Sequence, residues 1–278
     1  MRRNLLFYHC LLFTGVRCRG ILRKKGGMHV PSTKSIGFFD SGMGGLSVVK
    51  TARQLLPLED ICYFGDSANA PYGTKKPEQI QALTRAGVQI LLDQGVKALV
   101  LACNTASGVA LTQLQAALDI PVLGIQPALE AAQRLRRTGN ILVLATPATF
   151  KTARYAALKA HFGRHTLDLP APGLMDFVEH LELEGPRLEA FLRILFKPCQ
   201  GKAIDVVVLG CTHYPFLSAA IQPFFPDAVL IDDSPQVAAQ LREQLQALDL
   251  LTTSEQAGRV RLISSGGEEP VAQMRQLL

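Results

Sequence analysis

The sequence predicts an α/β protein built on parallel sheets, and three features predict it. From Ile36 onward, short apolar runs alternate with longer stretches of helical period, the pattern of strands buried on both faces by crossover helices. Pro77, Pro127, Pro147 and Pro235 stand where such helical stretches begin, at positions that tolerate a first-turn proline. Two of the runs also echo one another. Lys97-Ala-Leu-Val-Leu-Ala-Cys103-Asn-Thr105 and Asp205-Val-Val-Val-Leu-Gly-Cys211-Thr-His213 each end in a cysteine followed by polar residues. The echo suggests two similar α/β lobes with equivalent strand ends facing each other; chance likeness between two hydrophobic strands is the alternative.

Taken in order, strands are expected at 36–40, 61–65, 98–103, 141–145, 206–211 and 229–232. Helices are expected between them at 46–56, 77–93, 111–118, 127–137, 147–162, 187–196 and 235–248.

A chain of 278 residues is long enough for one large domain or two ordinary ones, each with its own core. Its formal charge of +6 does not indicate a nucleic-acid partner. Eight of the 29 basic side chains lie in residues 1–34, which hold no acidic residue, leaving 21 basic against 23 acidic in the rest. The apolar stretch from Leu5 to Val16 resembles the start of a secretory signal. However, Arg17, Arg19 and Arg23-Lys24-Lys25 occupy the place of a small-residue cleavage site. Residues 1–34 are therefore expected to be a basic, disordered extension, or to precede a true start at Met28. No window reaches the roughly 20 apolar residues of a membrane span. The six cysteines form neither a CxxC pair nor a dense framework, so free thiols in a reducing cytoplasm are expected.

Ligands of open parallel sheets bind beyond the carboxyl ends of the strands, and three such ends here carry unusual chemistry. The first is Asp40-Ser41-Gly42-Met-Gly44-Gly45, a carboxylate and a hydroxyl followed by a glycine-rich turn. Its free N–H groups can meet an anion, or the glycines can serve the turn alone. The spacing is not that of a dinucleotide fingerprint or a P-loop.

The second is Cys103-Asn104-Thr105-Ala106-Ser107. A thiol near a helix N-terminus feels the positive end of the helix dipole, which favours thiolate; most buried cysteines, though, are small hydrophobes. The third is Cys211-Thr212-His213-Tyr214-Pro215, where an imidazole stands two residues from the thiol. It can carry a proton or pair with a thiolate; a core histidine, a metal pair and a protease-like nucleophile are the rivals. Two thiols on opposite sides of one pocket meet the needs of two-base racemisation. One thiolate takes an α-proton from one face and the other thiol returns a proton to the opposite face.

Four segments together resemble the motifs of glutamate racemases, in the aspartate/glutamate racemase superfamily. They are Asp40-Ser-Gly-Met-Gly-Gly-Leu-Ser47, Ala70-Pro-Tyr-Gly-Thr74, Ala102-Cys-Asn-Thr-Ala-Ser107 and Gly210-Cys-Thr-His-Tyr-Pro215. The likeness runs from about Ser35 to the C-terminus. It implies two flavodoxin-like lobes, the first at 36–126 plus 234–278 and the second at 127–233, with the site in the cleft between them. It also implies that no pyridoxal phosphate, other cofactor or metal is used, and that the enzyme is a homodimer supplying D-glutamate for peptidoglycan.

By the same resemblance Cys103 takes the α-proton of D-glutamate and Cys211 that of L-glutamate. Asp40 assists Cys103, while His213 and Glu179, in Phe177-Val-Glu179-His180, assist Cys211. Asp40, Ser41, Tyr72, Gly73, Asn104, Thr105, Thr146, Thr149, Thr212 and His213 hold the substrate. The alternative for Glu179 is a solvated helix face. The competing functions are another amino-acid or hydantoin racemase, a non-catalytic regulatory binding protein on this fold, and a redox protein cycling a Cys103–Cys211 disulfide.

Overall fold

The computed structural model describes residues 33–278, so most of the basic extension, with Cys10 and Cys18, lies outside the described residues. The strands are β1 (Ile36–Asp40), β2 (Ile61–Gly65), β3 (Ala98–Leu101), β4 (Val122–Gly124), β5 (Asn140–Ala145), β6 (Thr166–Pro170), β7 (Ile204–Leu209), β8 (Val229–Ile231) and β9 (Val260–Ser264). The helices are α1 (Leu46–Leu55), α2 (Pro77–Asp93), α3 (Asn104–Ala117), α4 (Leu129–Leu135), α5 (Pro147–Phe150) and α6 (Ala153–Phe162). They continue with α7 (Leu174–Glu179), α8 (Pro186–Leu195), α9 (Ser218–Ile221), α10 (Ser234–Ala247) and α11 (Glu268–Gln276).

The strands make two sheets, in the orders β4-β3-β1-β2-β9 and β6-β5-β7-β8, and every pairing is parallel. β1, β2, β3 and nearly all of β5 and β7 are buried, as parallel strands covered on both faces must be. In each sheet the chain order reverses once near the middle, between β1 and β3 and between β5 and β7, and a crevice opens at such a switch point. The chain passes between the sheets twice, after β4 and after β8. There the Asp233 carboxylate accepts the Gln126 N–H at 3.1 Å, joining the two connections.

Several elements differ from expectation. β3 and β7 each stop two residues short of their cysteine. Cys103 instead takes the N-cap position of α3, which therefore starts at Asn104 rather than at 111. The helix expected at 147–162 breaks in two, because the Thr152 hydroxyl accepts the Tyr155 N–H and caps a new start. Pro127 lies outside its helix: α4 begins at Leu129, since the chain is still crossing between sheets. The short or edge strands β4, β6 and β9 and the helices α7 and α11 were not anticipated.

Candidate active site

The end of β1 builds one wall. Asp40 is fully buried; its Oδ1 accepts the Gly42 N–H at 2.8 Å and its Oδ2 accepts the Thr212 hydroxyl at 3.0 Å. Burial pushes its pKa up to about 6, against the opposing pull of the His213 charge, the Gly42 N–H and the Thr212 hydroxyl. Ser41 lies beside it with Oγ 3.4 Å from Cys103 Sγ.

Cys103 Sγ also accepts the Ala106 N–H at 3.5 Å, as a helix cap does. The dipole of α3 was expected to favour thiolate, yet this thiol is pushed up to about 12. Burial is the main cause and the Asp40 charge adds to it, while Ser41 and the Ala106 N–H pull only weakly the other way. Cys103 thus holds its proton. Asp40 acts on it through charge, its hydrogen bonds going to Gly42 and Thr212.

The opposite wall follows β7. Cys211 Sγ lies 3.6 Å from His213 Nδ1, and His213 Nε2 lies 2.6 Å from Glu179 Oε1. Burial would lower the His213 pKa. The bonds and charges of Cys211 and Glu179 outweigh it and hold the ring well above its ordinary value, so a protonated imidazolium donates in both directions. Glu179 is brought below the usual carboxylate range, its burial outweighed by His213 and by the Met43 N–H, which donates to Oε1 at 2.9 Å. A solvated helix face does not describe this side chain, which is 15% exposed and bonded to both His213 and Met43. Gly44 makes the arrangement possible: a Cβ there would stand 2.3 Å from His213 Nδ1.

Between the walls, Thr105 Oγ1 meets Thr146 Oγ1 at 2.9 Å and Thr149 Oγ1 at 3.3 Å, while Thr146 and Thr149 meet at 2.9 Å. These three buried hydroxyls bridge the sheets. Asn104 Oδ1 is buried without a hydrogen-bond partner, and the residue lines a small, partly open pocket together with Gln126, Thr149 and Arg154. An unpaired buried acceptor is costly, and a ligand donor would relieve it.

The Tyr72 hydroxyl turns back into its own lobe and donates to Asp66 Oδ2 at 2.6 Å, which leaves its oxygen as an acceptor. Gly73 instead brings that turn against the second sheet, where a Cβ would lie 2.8 Å from Thr146 Cβ. Thus Asp40, Ser41, Asn104, Thr105, Thr146, Thr149, Thr212, His213, Glu179 and both thiols gather in one cleft. Tyr63, Ser47 and Asp66 escaped sequence reasoning. Each is a polar side chain in or just after an apolar run, and a buried hydroxyl or carboxyl must find a partner. Ser47 Oγ donates to the Thr212 carbonyl at 2.9 Å, another stitch across the cleft.

Cys62, Cys103, Cys199 and Cys211 are all free thiols. Among the described residues no three His, Cys, Asp or Glu side chains converge as a metal site needs, and no helix is long and apolar enough to cross a membrane.

The family model for Asp/Glu/hydantoin racemases matches residues 46–242. A glutamate racemase of Clostridium botulinum is 41% identical over 249 residues, covering 88% of this chain and 96% of its own length. The glutamate racemase of Francisella tularensis, solved in complex with D-glutamate, superposes with a TM-score of 0.77 at 33% identity, covering 88% of this chain and 94% of its own. That of Thermus thermophilus, in complex with β-chloro-D-alanine, gives 0.75 at 34% identity, over 89% and 94%. An aspartate racemase of Picrophilus torridus, 17% identical with a TM-score of 0.54, shares the fold.

Proposed function

The chain belongs to the Asp/Glu/hydantoin racemase family, and we propose that it interconverts L- and D-glutamate by passing protons through Cys103 and Cys211, supplying D-glutamate for peptidoglycan. The observation that carries this reading is the unlike setting of two thiols at the switch points of facing sheets. One retains its proton beside a carboxylate and the other faces an imidazolium.

In the L-to-D direction Cys211, as thiolate opposite protonated His213, takes the α-proton: the Cα–H bond breaks and an S–H bond forms. The electron pair delocalises into the substrate carboxylate. Cys103 then gives its proton to the other face, its S–H bond breaking as the new Cα–H bond forms. The D-to-L direction exchanges the roles, with Asp40 helping to deprotonate Cys103. An uncompensated thiolate in so dry a site would be costly, which accounts for the imidazolium beside Cys211, while the Asp40 charge keeps the proton on Cys103 until it is given up. Ser41, the Thr105-Thr146-Thr149 hydroxyls and the first N–H groups of α3 offer donors to the carboxylates, and Asn104 Oδ1 offers an acceptor to the ammonium. Thr212 and Gly73 hold the walls in place. The same reading includes a homodimer and a cytoplasmic location, the latter in keeping with the free thiols.

Incubation with L-glutamate in D2O tests it. The α-proton exchanges and ellipticity decays to zero, whereas L-aspartate is left intact. Cys103→Ser and Cys211→Ser each abolish the decay, because a hydroxyl is a far weaker acid than a thiol. Exchange of aspartate but not glutamate sinks the substrate assignment.

A further inference from the structure

One peptide unit in the cleft is held at both ends. The carbonyl of Gly42 accepts the Tyr63 hydroxyl at 2.8 Å, and the N–H of the same peptide, on Met43, donates to Glu179 Oε1 at 2.9 Å. Tyr63 comes from the middle of β2 and is fully buried beneath the Asp40–Gly45 turn. Glu179 comes from α7, on the other side of the cleft. A peptide flanked by glycine flips at little steric cost, and a flip would aim a carbonyl oxygen at the Glu179 carboxylate in place of an N–H. The Tyr63 hydroxyl selects the orientation, because only one leaves a carbonyl within its reach.

We propose that Tyr63 is a positioning residue for racemisation: by fixing the Gly42–Met43 peptide it presents the Met43 N–H to Glu179 and so seats the Glu179–His213 pair against Cys211. Glu179 shares its Oε1 between Met43 N and His213 Nε2, so the same oxygen anchors the ring to the first lobe and sets the distance of Nδ1 from the sulfur. The arrangement is complete only when the lobes meet. The inference rests on the racemase reading of Cys211 but makes its own demand, that a hydroxyl on β2, in the sheet that carries Cys103, governs the environment of Cys211 and not that of Cys103. The other titratable groups whose charges act on this pair are Asp40 and His180, and those that act on Cys211 include Cys103 and Tyr214. Replacing Tyr63 with phenylalanine removes none of them.

The test uses the full chain as wild type, Tyr63→Phe, Glu179→Gln and the double variant. Each is alkylated with iodoacetamide across a range of pH, with Cys103 and Cys211 followed separately by peptide mass spectrometry. In Tyr63→Phe and Glu179→Gln the onset of Cys211 alkylation moves to higher pH by roughly half a unit or more, while that of Cys103 stays in place. Tyr63→Phe lowers kcat by about 3- to 10-fold with little change in KM, and has under about twofold effect in the Glu179→Gln background. An unmoved Cys211 onset in Tyr63→Phe, or the same loss of kcat in both backgrounds, overturns the inference. Should Tyr63→Phe fail to fold, Glu179→Gln decides: an unmoved Cys211 onset overturns the inference and a shifted one supports it. Alkylation is read without turnover, so a wild type that does not racemise glutamate counts against the function and not against this relay.

Discussion

Thr212 donates a 3.0 Å hydrogen bond to Asp40 Oδ2, so the residue next to one thiol holds the carboxylate that faces the other. The two walls of the site are therefore coupled electrostatically as well as sterically. His213 lowers the pKa of Asp40 and Asp40 raises that of Cys103. With Asp40 at about 6, kcat/KM should fall on the acidic side with a midpoint near that value, as the carboxylate that assists Cys103 is protonated. Thr212→Val keeps the shape but removes the donor favouring the carboxylate, so the acidic limb moves to higher pH. Asp40→Asn removes the limb and lowers kcat by roughly 100-fold or more. A pH–rate profile settles it: an acidic limb that stands unchanged in both variants assigns it to another group.

The Gly44–His213 contact makes a sharper steric demand. A methyl group on Gly44 would overlap Nδ1, the nitrogen facing Cys211 Sγ, so Gly44→Ala must displace the ring or the turn. A displacement near 1 Å in an acid–base group costs on the order of 100-fold. The expected outcome is that loss in kcat with far-UV circular dichroism retained. Activity within about threefold of wild type would mean that the ring has room to move.

The fold class, the thiols and their flanking residues were legible because they are local. β1 and β2 match their apolar runs, and Cys103 and Cys211 stand just past the unbroken apolar runs 98–101 and 206–209. β6 was missed because Asp168 interrupts an edge strand, and β4 because it has three residues. Glu179 sits on a six-residue helix entered through Gly173 at φ 81°, too short to show a period, and its partners lie 136 and 34 residues away. The contacts of Gly44 with His213, of Tyr63 with Gly42 and of Thr105 with Thr146 exist only after two lobes dock, and no periodicity encodes them. The pull of burial on Cys103 was equally invisible, since a helix dipole is read from the chain but desolvation is not.

Asp233 offers a stability test separate from catalysis. Burial pushes its carboxyl up to about 8, the Gln126 N–H and Arg154 pulling weakly the other way. A carboxyl raised above its unfolded value of about 3.9 contributes stability that is complete below that value and is lost as pH rises through about 8. Asp233→Asn keeps an oxygen for Gln126 and cannot ionise. Its melting temperature relative to wild type should therefore climb between about pH 4 and pH 8.5, by roughly 4 °C or more. Parallel melting curves for the two proteins across that range would show that Asp233 ionises without cost.

The Lys97–Glu59 pair tests the opposite end of the first sheet. Lys97 Nζ lies 2.6 Å from Glu59 Oε2, both side chains are under 4% exposed, and Glu59 Oε1 also accepts the Thr252 N–H at 2.7 Å. The pair therefore ties the loop before β9 to the residues that precede β2 and β3. Buried pairs gain little over apolar replacements, but removing one partner strands the other charge. Lys97→Met should cost on the order of 3–5 kcal/mol in urea unfolding. Adding Glu59→Gln removes the stranded charge while keeping an acceptor for Thr252, and should recover most of that loss. Both variants should racemise at the wild-type rate while folded, since the pair stands at the strand ends remote from the thiols. A double variant as unstable as the single one would show that the lysine's packing, and not the stranded carboxylate, sets the cost.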